Sequence, residues 1–142
     1  MSDTATRTIA ADTAAGTVQG LPKLLLRLEG AVVLAAAAYA YGEIGSGWML
    51  FAILFLVPDV SMLGHLIDTR VGALVYNLGH TYLLPAILGL VGLLTSLPIL
   101  VSIALIWIAH DGFDRAVGYG FKYPTAFKHT HLGTPFEQAR PA

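Results

Sequence analysis

The chain contains no cysteine, which removes disulfides, thiolate metal ligands and cysteine nucleophiles together. Charge is scarce too. Asp, Glu, Lys and Arg make up 12% of the 142 residues and sum to -1, so no basic field exists to hold nucleic acid through its phosphates. Neither an internal repeat nor an alternating β-pattern is present. The first 20 residues are rich in Thr, Ala and Asp around a single Arg7, without the basic start and apolar centre of a signal peptide; they read as a disordered cytoplasmic tail, and 134–142 as a second.

What the chain has is apolar length. Hydrophobic residues reach 56% and mean hydropathy is +0.69, too apolar for an ordinary soluble domain. Four stretches, 24–41, 47–66, 71–94 and 97–117, each approach the roughly 20 residues that a helix needs to cross hydrocarbon. The connections at 43–46, 67–70 and 95–96 are short enough to force neighbours antiparallel. The expected fold is therefore all-α, an integral membrane bundle of four transmembrane helices within 21–118, followed by an interfacial segment at 119–133.

Cations set the expected orientation. Arg7, Lys23 and Arg27 precede or begin the first helix, Arg70 lies in the second loop, and Arg115, Lys122, Lys128 and Arg140 come at or after the end of the fourth. The first and third loops have none. Both termini should then face the cytoplasm, in a bacterial inner membrane. At 1.5 Å per residue, Glu29 lies roughly 8 Å inside that face, Asp59 about 10 Å, His80 about 14 Å, His110 about 10 Å and Asp114 about 5 Å. Ionisable groups at such depth are costly unless paired, so four helices delivering them to one layer predicts a shared polar centre.

Spacing sharpens that expectation. His110 and Asp114 are four apart, on one helix face, and Tyr76, Asn77, His80 and Thr81 form a polar stripe on the third helix. Asp111 and Arg115 make a further i,i+4 pair on a neighbouring face. Pro58 before Asp59 loosens the second helix by removing a backbone donor. Glycines at 64, 72, 79, 112, 118 and 120 allow helices to approach closely. The segment 118–133 interleaves aromatics with Lys and His, a pattern that settles at the headgroup level and caps the polar centre.

Two imidazoles and two or three carboxylates without thiols suit a divalent metal of the Zn or Mn type. Asp59, His80, His110 and Asp114 are the expected ligands, with Glu29 or Asp59 as the general base that activates water. Arg27, Asn77, Arg115 and Lys122 are the expected contacts to an anionic, lipid-borne substrate. Plainer readings compete: His80 bonded to a backbone carbonyl or a Tyr, His110 and Asp114 as an interhelical clamp, Asp59 paired with Arg27. Two other functions also fit. One is a non-enzymatic accessory subunit, or a bundle that binds pigment, haem or quinone through His80 or His110. The other is a proton or ion carrier, which with so few helices would need further copies of itself. Membrane lipid is the expected partner, with a homo-oligomer or a membrane complex as further possibilities.

The runs Leu-Pro-Lys-Leu-Leu-Leu-Arg-Leu-Glu-Gly, Pro-Asp-Val-Ser-Met-Leu-Gly, Tyr-Asn-Leu-Gly-His-Thr-Tyr and Ala-His-Asp-Gly-Phe-Asp-Arg-Ala-Val-Gly-Tyr-Gly-Phe-Lys-Tyr-Pro resemble a family of small bacterial membrane proteins, domain of unknown function 4260, over 21–133. Its recurring polar positions correspond to Arg27, Glu29, Asp59, Asn77, His80, His110, Asp114, Arg115 and Lys122. A more distant likeness is to membrane-bound metal-dependent hydrolases, carried by Pro58-Asp59, His80-Thr81 and Ala109-His110 with Asp114. The second His beside Thr81 and the acidic repeat after Asp59 are missing here. That likeness implies metal-dependent hydrolysis by analogy of pattern.

Overall fold

The structure, a computed structural model, describes residues 3–5, 7 and 16–133. Most of the tail expected at 1–20, and all of that at 134–142, lies outside the described residues. Helix α1 (Gly20–Ile44) stops at Gly45, whose left-handed φ of 75° ends the helix and turns the chain. Helix α2 (Trp48–Leu54) is short and passes into a 3-10 segment, Val57–Leu66, with Pro58 in its first turn. Asp68 caps α3 (Thr69–Gly79) by accepting from the Val71 amide at 2.8 Å. Helices α4 (Leu83–Leu94) and α5 (Pro98–Val117) follow, and no strand is present among the described residues.

Two of the expected crossings are thus interrupted helices. The second relaxes at Pro58, as its missing donor predicts. The third breaks at 80–82, where Pro85 in the first turn of α4 has no amide hydrogen to bond back to Thr81. Carbonyls freed there are bound by the core helix: the Trp107 indole donates to Gly79 at 2.6 Å and Arg115 to His80 at 2.8 Å. Non-helical backbone at membrane depth is tolerated where protein satisfies it in this way.

Three helical stretches, Gly20–Ile44, Trp48–Leu66 and Thr69–Leu94, are long and apolar enough to cross a membrane, and they mark the chain as a membrane protein. The expected count of four is corrected by α5, whose last two turns carry Asp111, Asp114 and Arg115 and make it too polar to qualify. Helix α5 is instead the core. It packs along α1 and against α4, while the 3-10 segment packs on α3. Gly30 and Gly112 set the α1–α5 distance, because a Cβ on either would meet the other's carbonyl oxygen at 2.8 Å.

After Gly118 the chain folds back as a strap, 118–133, pinned by a Lys122–Thr130 bridge and by the fully buried Leu132. Residues 16–18, placed in the flexible tail by composition, dock on it: Val18 donates to the His131 carbonyl at 2.7 Å and the Tyr123 hydroxyl to Gly16 at 3.0 Å.

Candidate metal centre

Asp59, His80, His110 and Asp114 come from three separate elements, and their ligand atoms all lie within 4.8 Å of one another. The 3-10 segment brings Asp59, the end of α3 brings His80, and one face of α5 brings His110 and Asp114 a turn apart. The two Nε2 atoms are 3.2 Å apart. His80 Nε2 lies 3.4 Å from Asp59 Oδ1 and 3.3 Å from Asp114 Oδ2; the matching distances from His110 Nε2 are 3.5 and 3.6 Å.

Proton placement on His80 follows from its neighbour. Its Nδ1 sits 2.9 Å from the Tyr76 carbonyl, which can only accept, so Nδ1 carries the hydrogen and the neutral ring turns a lone pair on Nε2 toward the other three groups. A lone pair on His80 Nε2 and two carboxylates converging on one point repel each other unless a cation, or a hydrogen on His110 Nε2, lies among them; His110 Nδ1 has no hydrogen-bond partner among the described residues to fix its tautomer. A proton shared in one hydrogen bond would draw a single pair to about 2.7–2.9 Å. Instead five of the six separations lie between 3.2 and 3.6 Å, and the sixth, between the two carboxylates, lies within 4.8 Å. Ligand atoms about 2.1 Å from the centre of a tetrahedron stand about 3.4 Å apart, which is the spacing of a zinc-type site. The group can hold a divalent metal ion.

Aromatic rings flank both imidazoles, and His80 is held by a hydrogen bond as well. Tyr76 stacks on His80 with ring centroids 3.9 Å apart, and Phe55 meets His110 edge-on at 5.2 Å. The Tyr76 hydroxyl also faces the Asp114 carboxylate. His80 and His110 are buried, and the Asp114 side chain is 9% exposed, whereas that of Asp59 is 43% exposed. The centre therefore has one open side, at Asp59.

Other residues expected at the site are placed elsewhere. Glu29, expected as the base, is exposed on α1 in a separate groove, outside the four-residue group. Arg27 donates to the Ala116 carbonyl at 2.8 Å and does not pair with Asp59. Asn77 forms a two-way clasp with the Lys122 backbone, donating to its carbonyl at 2.9 Å and accepting from its amide at 2.7 Å. Lys122 donates to the Phe127 carbonyl and lies over the Phe127 and Tyr76 rings; burial lowers its pKa to about 8. Arg115 donates to the Tyr119 and His80 carbonyls, so the expected Asp111–Arg115 pair does not form, and neither oxygen of the buried Asp111 accepts a hydrogen bond. Asn77, Arg115 and Lys122 are engaged in holding the strap and the broken helix. Tyr76 and Trp107 act directly on the site's frame, and Pro85, which the break needs, was the signal for Trp107.

A family model described as a domain of unknown function (DUF4260) matches residues 23–134. No curated protein and no solved structure matches the chain.

Proposed function

The chain belongs to the DUF4260 family, a domain of unknown function, and from the geometry of its four-ligand group we propose that it is a membrane-embedded metal centre that hydrolyses a lipid-borne anionic substrate. The supporting observation is that four potential ligand atoms lie within 4.8 Å of one another, five of their six separations at 3.2–3.6 Å, two of them on imidazoles flanked by Tyr76 and Phe55. A divalent ion of the zinc or manganese type held there supplies Lewis acidity and lowers the pKa of a water toward neutrality.

The residues divide the remaining work. His80, His110 and Asp114 are buried and locked, so they hold position. Asp59 is half-exposed, and it is the group a substrate arriving from the lipid meets first. In hydrolysis the water oxygen bonds to the acyl carbon or phosphorus, the ester bond breaks, and the proton passes through Asp59 to the leaving oxygen. The strap carries Lys122, Lys128 and the aromatics at the same end of the bundle as the start of α1, where Val18 donates to the His131 carbonyl, an arrangement that favours a cytoplasmic location for that end. Haem ligation by both imidazoles is disfavoured, because Nε2 atoms 3.2 Å apart leave no gap for a planar macrocycle.

Elemental analysis of the detergent-purified chain tests the centre, with His110→Ala as the control. One equivalent of metal, lost in the variant, is expected; a metal-free native protein would overturn the reading. Mass spectrometry of a mixed lipid extract incubated with native and chelator-treated protein then tests hydrolysis, with metal-dependent loss of one lipid class as the expected result.

A further inference from the structure

On the other side of the 80–82 break lies a groove of about 790 Å³ between α1, the start of α4 and the strap. Leu25, Leu28, Val32 and Leu83 make its walls apolar. Its polar groups are few and of both signs. Glu29 is exposed on α1 and forms no hydrogen bond or ion pair, while the buried Arg115 lines the groove and has no carboxylate within ion-pair distance. Tyr82 and His131 stand beside them.

Glu29 is nine residues into α1, about 13 Å along the helix from its first residue, on an apolar surface within a candidate membrane span. An unpaired carboxylate there is expensive, and a ligand that supplies a cation relieves the cost. The arginine close by donates to two carbonyls and forms no close ion pair with the Asp111 and Asp114 of its own helix, which leaves N–H groups for a phosphate. A carboxylate that is to be satisfied by a hydrogen bond needs an N–H donor, which a quaternary ammonium lacks. Leucine and valine walls running up α1 from these charges fit an acyl chain rather than a soluble ion.

We propose that this groove binds a phospholipid with a primary-amine headgroup, its ammonium on Glu29, its phosphate toward Arg115 and His131, and one acyl chain along Leu25, Leu28 and Val32. The site is separate from the metal centre and does not depend on it. It shares with that centre the broken third span, His80 facing the ligands and Tyr82 the groove, and helix α5, where Arg115 follows Asp114.

The full chain, delipidated in detergent and offered equal amounts of ethanolamine and glycerol phospholipids in mixed micelles, tests the assignment by counting lipids retained in native mass spectrometry. The ethanolamine lipid should be retained roughly tenfold over the glycerol lipid, the size of one hydrogen bond to a charged group. Glu29→Gln should abolish that preference while leaving helical content and bound metal unchanged. Equal retention by the native chain, or a preference that survives Glu29→Gln, would overturn it. So would equal competition by free phosphoethanolamine, since that places a soluble amine phosphate in the groove. Because metal content is read on the same samples, loss of the lipid preference and failure of the metal centre are distinguishable.

Discussion

Helix α5 buries nine residues, whereas the stretch Trp48–Leu66 buries Pro58 alone, yet both deliver ligands to the same point. His110 and Asp114 sit in the core helix, fixed by its packing on α1 and α4. Asp59 rides on a 3-10 segment that packs on α3 and is otherwise covered by apolar side chains facing outward. Where a ligand is packed on every side its position is set by the fold; where it is packed on one side it can move. Under the proposed metal reading, the contrast gives the imidazoles and Asp114 fixed positions and Asp59 an exchangeable one.

The largest expected effect tests that division directly. His110→Ala removes a ligand the fold cannot replace, so metal affinity should fall well beyond the roughly 10- to 100-fold that a change outside the ligand set costs, whereas Asp59→Asn should fall within that range. Competition against a chelator on the purified proteins measures both. If Asp59→Asn loses metal as completely as His110→Ala, the two regions are equally rigid and the comparison breaks.

Next in size is the packing that makes α5 rigid. Gly112→Ala places a methyl 2.8 Å from the Gly30 carbonyl and the Leu34 amide, backbone atoms that cannot step aside within a helix. Such overpacking costs about 1–3 kcal/mol. Gly42→Ala, where the added methyl meets only the edge of Trp48 at 3.4 Å, should leave stability unchanged or improve it by up to about 1 kcal/mol through helix propensity. Thermal unfolding in detergent compares the pair, and equal shifts in the two variants would remove the α1–α5 contact as the source of rigidity.

The four clustered residues were legible because the cost of burying ionisable groups in hydrocarbon is severe enough to leave a trace in composition. His110 and Asp114 share a helix face by their spacing, and Asp59 and His80 stand out against apolar neighbours. Glu29 carries the same trace, and depth alone could not tell that its side of α1 faces a groove rather than the centre. Depth along a helix is readable from residue number, but azimuth is set by tertiary packing, here by the glycine contact that turns one face of α1 onto α5. The break at 80–82 was hidden for a related reason. Apolar residues continue through it, and only Pro85 marks it, while the groups that make it stable, Trp107 and Arg115, lie more than 20 residues away. Arg27, Asn77, Arg115 and Lys122 read as ligands for an anion because charge at the membrane face suits phosphate equally well whether or not a backbone carbonyl has already taken the donor.

A smaller effect separates the strap from the core. Asn77→Ala removes both halves of the clasp on the Lys122 backbone and should weaken strap docking by about 1–3 kcal/mol. Limited proteolysis within 118–133 should speed up, with the metal content unchanged. If metal is lost as well, the strap is part of the centre's support and belongs with α5 rather than with the mobile side of the comparison.

Lys122 supplies the smallest effect, with a definite sign. Burial between the Tyr76 and Phe127 rings lowers its pKa from 10.5 to about 8. With the strap released, the ammonium returns to water and titrates near its ordinary value, so between pH 8 and 10.5 the released form holds more protons than the docked one. Raising pH through that window therefore favours docking, and below about pH 8, where both forms are charged, this lysine makes docking independent of pH. Because the chain has no cysteine of its own, a spin label at the exposed Lys128→Cys reports strap mobility without interference. Mobility should fall modestly from pH 8 to pH 10 and stay flat in Lys122→Met, whose neutral side chain fills the same slot. A rise in mobility over that range would mean that the charged ammonium is what holds the strap, and the Phe127 carbonyl and the two rings would then outweigh the desolvation that burial imposes.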